Sequence, residues 1–125
     1  MAGKIVADTL EHSTGGSVDT QYVVNGSAKT WIAVTIAAAI DSSLNISSVT
    51  DVGTGEFDPQ LTSNMSDALY CSNTGVDVTS HVTRGAATEE RTTSSLKLVS
   101  YQTHSAAASE NSIDSIHSTS FGDLA

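Results

Sequence analysis

The chain is poor in most of what cross-links, stiffens or powers a small protein. Cys71 is the single cysteine, so no disulfide can close within the chain and the redox compartment is left open. Beside Leu69 and Tyr70 it reads as a small buried hydrophobe, not a nucleophile. Basic residues are scarce. Five lysines and arginines stand against fourteen acids, a formal net charge of −9. So few cations have no means of neutralising a phosphate track, which excludes nucleic acid as a partner and argues against anionic membranes. Long hydrophobic runs are missing too. The longest, Trp31 to Ile40, is about half of what spans a bilayer, so no membrane insertion is expected. Met1-Ala-Gly-Lys leads directly into an alternating segment without a continuous apolar stretch, so no secretory signal is expected. In that context Asn25-Gly-Ser, Asn45-Ile-Ser and Asn64-Met-Ser are chance matches to a glycosylation pattern in a serine-rich chain.

Large apolar side chains are also few. Leu, Ile, Val and Phe number 27 of 125 residues, little above the fifth at which disorder becomes the better expectation. Strand signals are nonetheless regular along the chain. A thin core in a strand-rich domain points to burial of strand faces against copies of the same chain, and a net charge this negative requires the carboxylates to face outward.

What is present is β-sequence. Ile5 to Leu10 alternates weakly, and His12 to Ser17 is a polar, glycine-bearing loop, so residues 1–20 read as an extended arm. A strand is expected over Val18–Val24. Asn25-Gly26 is the strongest short hairpin signal, because both central positions of a type I′ turn need positive φ. Tyr22, Asn25, Gly26 and Trp31 are therefore the expected hairpin and core anchors, with Trp31, the only tryptophan, as the largest apolar side chain. Ala37-Ala38-Ala39 suits a short loop, a bulge or a helical turn. Leu44, Ile46 and Val49 predict a strand ending at Asp51. Gly53-Thr54-Gly55 predicts a second hairpin whose return strand starts at Phe57, with Pro59 at an edge or bulge. Met65–Ser72 alternates and Asn73-Thr74-Gly75 closes it. Val76, Val78, Ser80 and Val82 have the spacing of a half-buried strand, with Asp77, Thr79 and His81 opposite. Arg84 to Thr93, with Arg84, Glu89, Glu90 and Arg91, reads as an exposed charged loop. Leu96, Leu98 and Ser100 alternate with Lys97, Val99 and Tyr101. His104–Asn111 is a polar loop, and Ile113–Phe121 is the last strand, anchored by Ile116 and Phe121. Strands separated by turn signals every dozen residues or so predict an all-β fold. The expectation is a single antiparallel β-sandwich, jelly-roll-like, over residues 21–125 behind the N-terminal arm.

No constellation for catalysis stands out. His12, His81, His104 and His117 are scattered with no two at ligand spacing, so no metal is expected; only the fold, or a threefold axis supplying one histidine per copy, would bring ligands together. Asp51-Val-Gly-Thr-Gly-Glu56-Phe-Asp58 lacks the alternate Asp/Asn and the distal glutamate of a calcium loop and reads as a hairpin turn with solvated acids. Serines abound without a Gly-x-Ser-x-Gly elbow, Gly53-Thr-Gly55 lacks the rest of a phosphate loop, and nothing singles out a pair of carboxylates. No catalytic residue and no cofactor is expected.

The run Ala7 to Trp31 resembles a module found in small structural proteins of marine tailed bacteriophages, described as tail-fibre or virion appendage proteins. The matching parts are Ala7-Asp8-Thr9-Leu10, His12-Ser13-Thr14, Val23-Val24-Asn25-Gly26-Ser27-Ala28-Lys29 and Trp31. Asp41 to Ser48, Thr50-Asp51, Gly53-Thr54-Gly55, Asn64-Met65, Leu69-Tyr70-Cys71 and the closing Phe121 to Ala125 continue it. The chain departs from the family at Ile32–Ile40, where three alanines stand in place of an aromatic strand and a glycine-rich turn. The resemblance implies an all-β, homotrimeric virion component, made in the host bacterial cytoplasm and exposed on the particle surface, whose partners are its own copies and other tail or capsid proteins. A capsid decoration (cement) protein clamping capsomers is the alternative. A host-glycan binding module is another, although the aromatics it would stack on, Tyr22, Trp31, Tyr70 and Tyr101, fall mostly in strands.

Overall fold

A computed structural model describes residues 3–78, 84–102 and 113–125. Strand alternation organises most of it. Along β3 (Ala28–Thr35), Thr30, Ile32 and Val34 are buried while Trp31 is exposed. The same period runs through β6 (Glu56–Leu61), which buries Phe57, Pro59 and Leu61, and through β9 (Leu96–Gln102), which buries Leu96, Leu98 and Ser100. One face of each strand is wet and the other is covered, which requires two sheets face to face. They are β4-β3-β10-β7 and β5-β6-β9-β8, with every pairing antiparallel. The remaining strands are β4 (Ile40–Leu44), β5 (Ile46–Gly53), β7 (Cys71–Val78), β8 (Arg84–Arg91) and β10 (Ile113–Phe121).

The protein is thus an all-β antiparallel sandwich. Around it the strands run β3, β4, β5, β6, β9, β8, β7, β10. The sets β6-β9-β8-β7 and β9-β8-β7-β10 are overlapping Greek keys, the jelly-roll-like arrangement expected. Ile32, Val34, Phe57, Leu61, Leu96, Leu98, Ile113 and Ile116 form the core, and Met65 and Tyr70 close one end from the segment between β6 and β7. Burial pushes the Tyr70 phenol above its usual value, with Arg91 opposing, while its hydroxyl donates to the Ser95 carbonyl at 3.0 Å. Gly122 lies against this corner: a Cβ there would fall 2.7 Å from Tyr70 Cβ and 2.8 Å from Met65 Cε.

The thin supply of aliphatic side chains is met partly by hydroxyls. Thr74 Oγ1 reaches Thr88 Oγ1 at 2.8 Å and Ser118 Oγ at 3.3 Å, and Ser72 Oγ reaches Ser120 Oγ at 2.9 Å. The Thr74–Thr88 pair joins β7 to β8 where the two sheets meet edge to edge. Among the described residues no buried side-chain polar atom lacks a partner, so this interior does not carry the penalty of unpaired groups.

On the opposite seam the chain crosses between sheets through a single residue, Asn45, with φ at 60°. Its amide donates to the Ser63 carbonyl at 2.9 Å and accepts from the Ser63 N–H at 2.7 Å, and its carbonyl accepts from the Thr62 N–H at 3.0 Å. Asn tolerates this left-handed backbone better than most residues. The run from Leu44 to Asp51 is consequently two strands bent at Asn45.

Several sequence expectations are corrected. Arg84–Thr93 is a strand and a turn instead of a loop. Ala86 and Thr88 lie on the inner side, and the Tyr101 ring lies over Gly85, 2.9 Å from where a Cβ would stand. Thr92 then turns the chain by accepting from the Ser94 and Ser95 N–H groups at 3.2 and 2.9 Å. Asn73-Thr74-Gly75 lies inside β7, where pairing with β10 and the Thr74 bonds outweigh the local turn preference. Pro59 sits in an inner strand, not at an edge; the β6–β9 ladder has no pairing from Asp58 to Pro59 and resumes with the Gln60–Ser95 bridge, so its missing N–H breaks no bond there. At Ala37–Ala39 the chain makes a tight turn held by the Thr35 hydroxyl, which accepts from Ala37 and Ala39 N–H at 3.3 Å each. The expected loop His104–Asn111 and the continuation through Ser80 and Val82 lie outside the described residues.

Candidate docking surface

Ahead of the sandwich, β1 (Thr9–His12) and β2 (Gly16–Asp19) form a hairpin, followed by helix α1 (Thr20–Gly26). This replaces the expected strand over Val18–Val24 and the hairpin at Asn25-Gly26. Gly16, at φ 89°, is the glycine that turns the chain left-handed here, and Gly26 is not. The local reasons are visible at both ends of the helix. The Thr20 N–H donates to the Asp8 carbonyl at 2.8 Å, and its hydroxyl donates to the Ala7 and Asp8 carbonyls at 2.6 and 3.1 Å. At the other end Ser27 Oγ and Lys29 Nζ donate to the Val23 and Val24 carbonyls, satisfying groups that a helix terminus leaves open. Ser27 and Lys29, the latter already in β3, therefore act as C-terminal caps.

The module has no core of its own. None of the residues of β1, β2 or α1 is buried apart from the half-buried Thr20, and none of these elements shares a substantial interface with a sheet strand. Ile5 is 91% exposed, Val6 80% and Tyr22 65%, and Leu10, Val18, Val23 and Val24 are also open. Ile5, Val6, Leu10, Val23 and Val24 share one groove and so form a contiguous apolar surface of a kind that marks interaction sites. A groove of about 460 Å3 runs between the extended segment and the helix, walled by Ile5, Val6, Leu10, Val23 and Val24. Tyr22 is thus no core anchor, and Asn25 and Gly26 end a helix. Trp31, 36% exposed, stands on the outer face opposite Leu44, because Ile32 and Val34 occupy the inner positions.

The other clusters face solvent. Lys97 Nζ lies 2.8 Å from Glu89 Oε2 and 2.9 Å from Glu56 Oε2, and these carboxylates, Glu89 first, hold its ammonium charged far above the usual range. Lys97 and Glu56, with Asp58 and Glu90, line a shallow depression of about 280 Å3 on the outer face of the second sheet. Glu89, Glu90 and Arg91 are exposed on β8 and its turn end, and Arg84 is half-buried at its start.

Across β7 and β10 the structure gathers a Ser–His–Asp set. His117 Nε2 is 2.8 Å from Asp77 Oδ2 and 2.9 Å from Ser115 Oγ, and the Ser115 hydroxyl is 3.2 Å from Asp77 Oδ2. A nucleophilic triad needs the serine on one ring nitrogen and the carboxylate on the other. Here both meet the same nitrogen, so the cluster clasps two strands and has no activated serine. The hydrogen bond from His117 holds the Asp77 carboxyl below its usual range. Sequence spacing gave no hint of this set, since it forms only by pairing of β10 with β7. Among the described residues no group of three or more His, Cys, Asp or Glu side chains is placed to hold a metal ion, and no helix is long and apolar enough to cross a membrane.

Comparisons with protein-family models, curated proteins and solved structures found no match to this chain.

Proposed function

We propose that this chain is a non-enzymatic structural subunit of a bacteriophage virion, a homotrimeric fibre or appendage component displayed on the particle surface. One observation carries the reading: the hairpin–helix module ahead of the sandwich presents an apolar surface that the other described residues do not cover. A module of that kind attaches a rigid domain to something else. The resemblance of Ala7–Trp31 to phage appendage proteins supplies the class of assembly, and the acidic sandwich, with Glu56, Asp58 and Glu90 around one outer depression, suits an outward, solvated surface. Among the described residues the one Ser–His–Asp set, Ser115–His117–Asp77, lacks triad geometry.

The test is quantitative mass spectrometry of purified particles of the encoding phage. A fibre or appendage subunit is expected at a few copies per particle. Hundreds of copies would replace this reading with a capsid cement protein, and absence from purified particles would refute both.

A further inference from the structure

We infer that the groove between residues 4–10 and helix α1 is filled by the same module of neighbouring copies of this chain, so that the oligomer is built through its N-terminal end and not through its sheets. The inference names the occupant of the docking module and rests on the reading above for the number of copies, three.

The surface is self-complementary in kind. Its groove is walled by Ile5, Val6, Leu10, Val23 and Val24, and two of these, Ile5 and Val6, stand open enough, at 91% and 80%, to enter the groove of another copy. The helix needs a cover. Seven residues are too few for a helix stable in water, Tyr22-Val23-Val24 has weak helix propensity, and Asp19 makes no side-chain cap bond at the start. The amount of surface is appropriate. Seven exposed apolar side chains present on the order of 500 Å2 per copy, a large part of the roughly 800 Å2 per partner in a stable interface. Charge selects the end. Residues 3–27 carry Lys4, Asp8, Glu11 and Asp19, a balance of −2, which leaves −7 of the total −9 on residues 28–125. Copies joined at this end hold the strongly acidic sandwiches apart, whereas copies joined through their sheets would press them together.

Light scattering behind a sizing column, on the full chain over a range of concentrations, tests this. Wild type is expected at three chains of 12.9 kDa each. Val24→Asp and Ile5→Asp, both at exposed positions, should move it to one chain with an unchanged strand signal in circular dichroism. Val52→Asp, an equally open valine on β5 of the sandwich, should leave the trimer intact. A monomeric wild type at every concentration, trimers that survive both arm substitutions, or equal dissociation by Val52→Asp would each overturn the inference. Its failure is separable from that of the virion reading. A trimer split by Val24→Asp in a chain absent from particles sinks only the latter, and a monomer found in particles sinks only the former.

Discussion

Asn45→Ala is expected to cost far more than a half-buried residue between two strands ordinarily would. Two effects add at this corner. Alanine would have to hold φ near 60°, where a Cβ crowds the carbonyl at about 1–2 kcal/mol, a cost Asn partly escapes. It would also lose both side-chain bonds to Ser63, at 2.7 and 2.9 Å, each worth about 0.5–1.5 kcal/mol, toward the lower end because water can reach this exposed site. The sum is about 2–3 kcal/mol, or on the order of 10 °C in Tm for a chain of this size. Substitutions separate the two parts. Asn45→Gly removes the backbone cost and keeps only the bond loss, so it should fall between wild type and alanine. Asn45→Asp keeps the acceptor for the Ser63 N–H but turns a carboxylate oxygen toward the Ser63 carbonyl, so it loses one bond and adds a repulsion. Urea unfolding followed by circular dichroism, at matched protein concentration so that oligomer linkage is constant, gives the ranking. If glycine proves as damaging as alanine, the left-handed backbone is not what asparagine serves at this corner. If alanine costs less than about 0.5 kcal/mol, both effects have been overestimated.

Gly122→Ala should destabilise by about 1–3 kcal/mol, since its Cβ would overlap Tyr70 Cβ and Met65 Cε; a midpoint unchanged in chemical denaturation would show that this corner can relax. Thr74→Val strips the partners from Thr88 and Ser118 and is expected to cost about 1–3 kcal/mol, with the Thr74→Val/Thr88→Val double variant losing less than the sum of the singles; strict additivity would deny that the pair couples the two sheets. Tyr70 has its folded pKa raised, so its contribution is complete below the unfolded value of about 10 and disappears as pH rises through the folded value. The phenolate absorbance of wild type minus that of Tyr70→Phe should therefore titrate above 10, and a midpoint at or below it would contradict the burial argument. Trp31→Ala should cost about half as much as Phe57→Ala or less, the latter falling near 3–5 kcal/mol, because only Phe57 is enclosed on all sides; equal costs would put Trp31 in the core after all.

The sandwich was legible wherever one face of a strand is apolar and the other polar. Leu96, Leu98 and Ser100 against Lys97, Val99 and Tyr101 carry the phase of β9 on the page, and β10 and the β5–β6 hairpin are almost as plain. At Trp31 alternation outranks side-chain size: Thr30, Ile32 and Val34 claim the inner face, and a shift of one residue exchanges the faces. Turn chemistry misled in the other direction at Arg84–Arg91 and at Asn73–Gly75. Asn73–Gly75 is strand because it pairs with β10, far along the chain, which no local window contains; Arg84–Arg91 is strand because it forms a hairpin with the adjacent β9 through the turn at Thr92.

The docking module shows most clearly where local reasoning stops. Tyr22-Val23-Val24 has β-propensity and Asn25-Gly26 has turn propensity, yet the chain is helical there. The groups that hold it, the Thr20 hydroxyl tying its start to Ala7 and Asp8 and Ser27 and Lys29 capping its end, are each individually weak signals. Propensity differences among these residues amount to a few tenths of a kcal/mol each, so a handful of hydrogen bonds is enough to reverse them. The same balance explains why the module should be sensitive to its surroundings. Thr20→Val removes the hydroxyl bonds to Ala7 and Asp8 without touching either sheet, so it should free residues 3–8 for protease while the sandwich keeps its denaturation midpoint to within about 0.5 kcal/mol. If the midpoint fell by several times that amount, the module would have to be part of the domain's own packing, and the separation between an attaching element and a self-sufficient sandwich would be wrong. If the cleavage rate near the N-terminus did not change, the Thr20 bonds would not be what holds the groove open, and the shape of the docking surface would have to come from the hairpin and the Ser27–Lys29 cap alone.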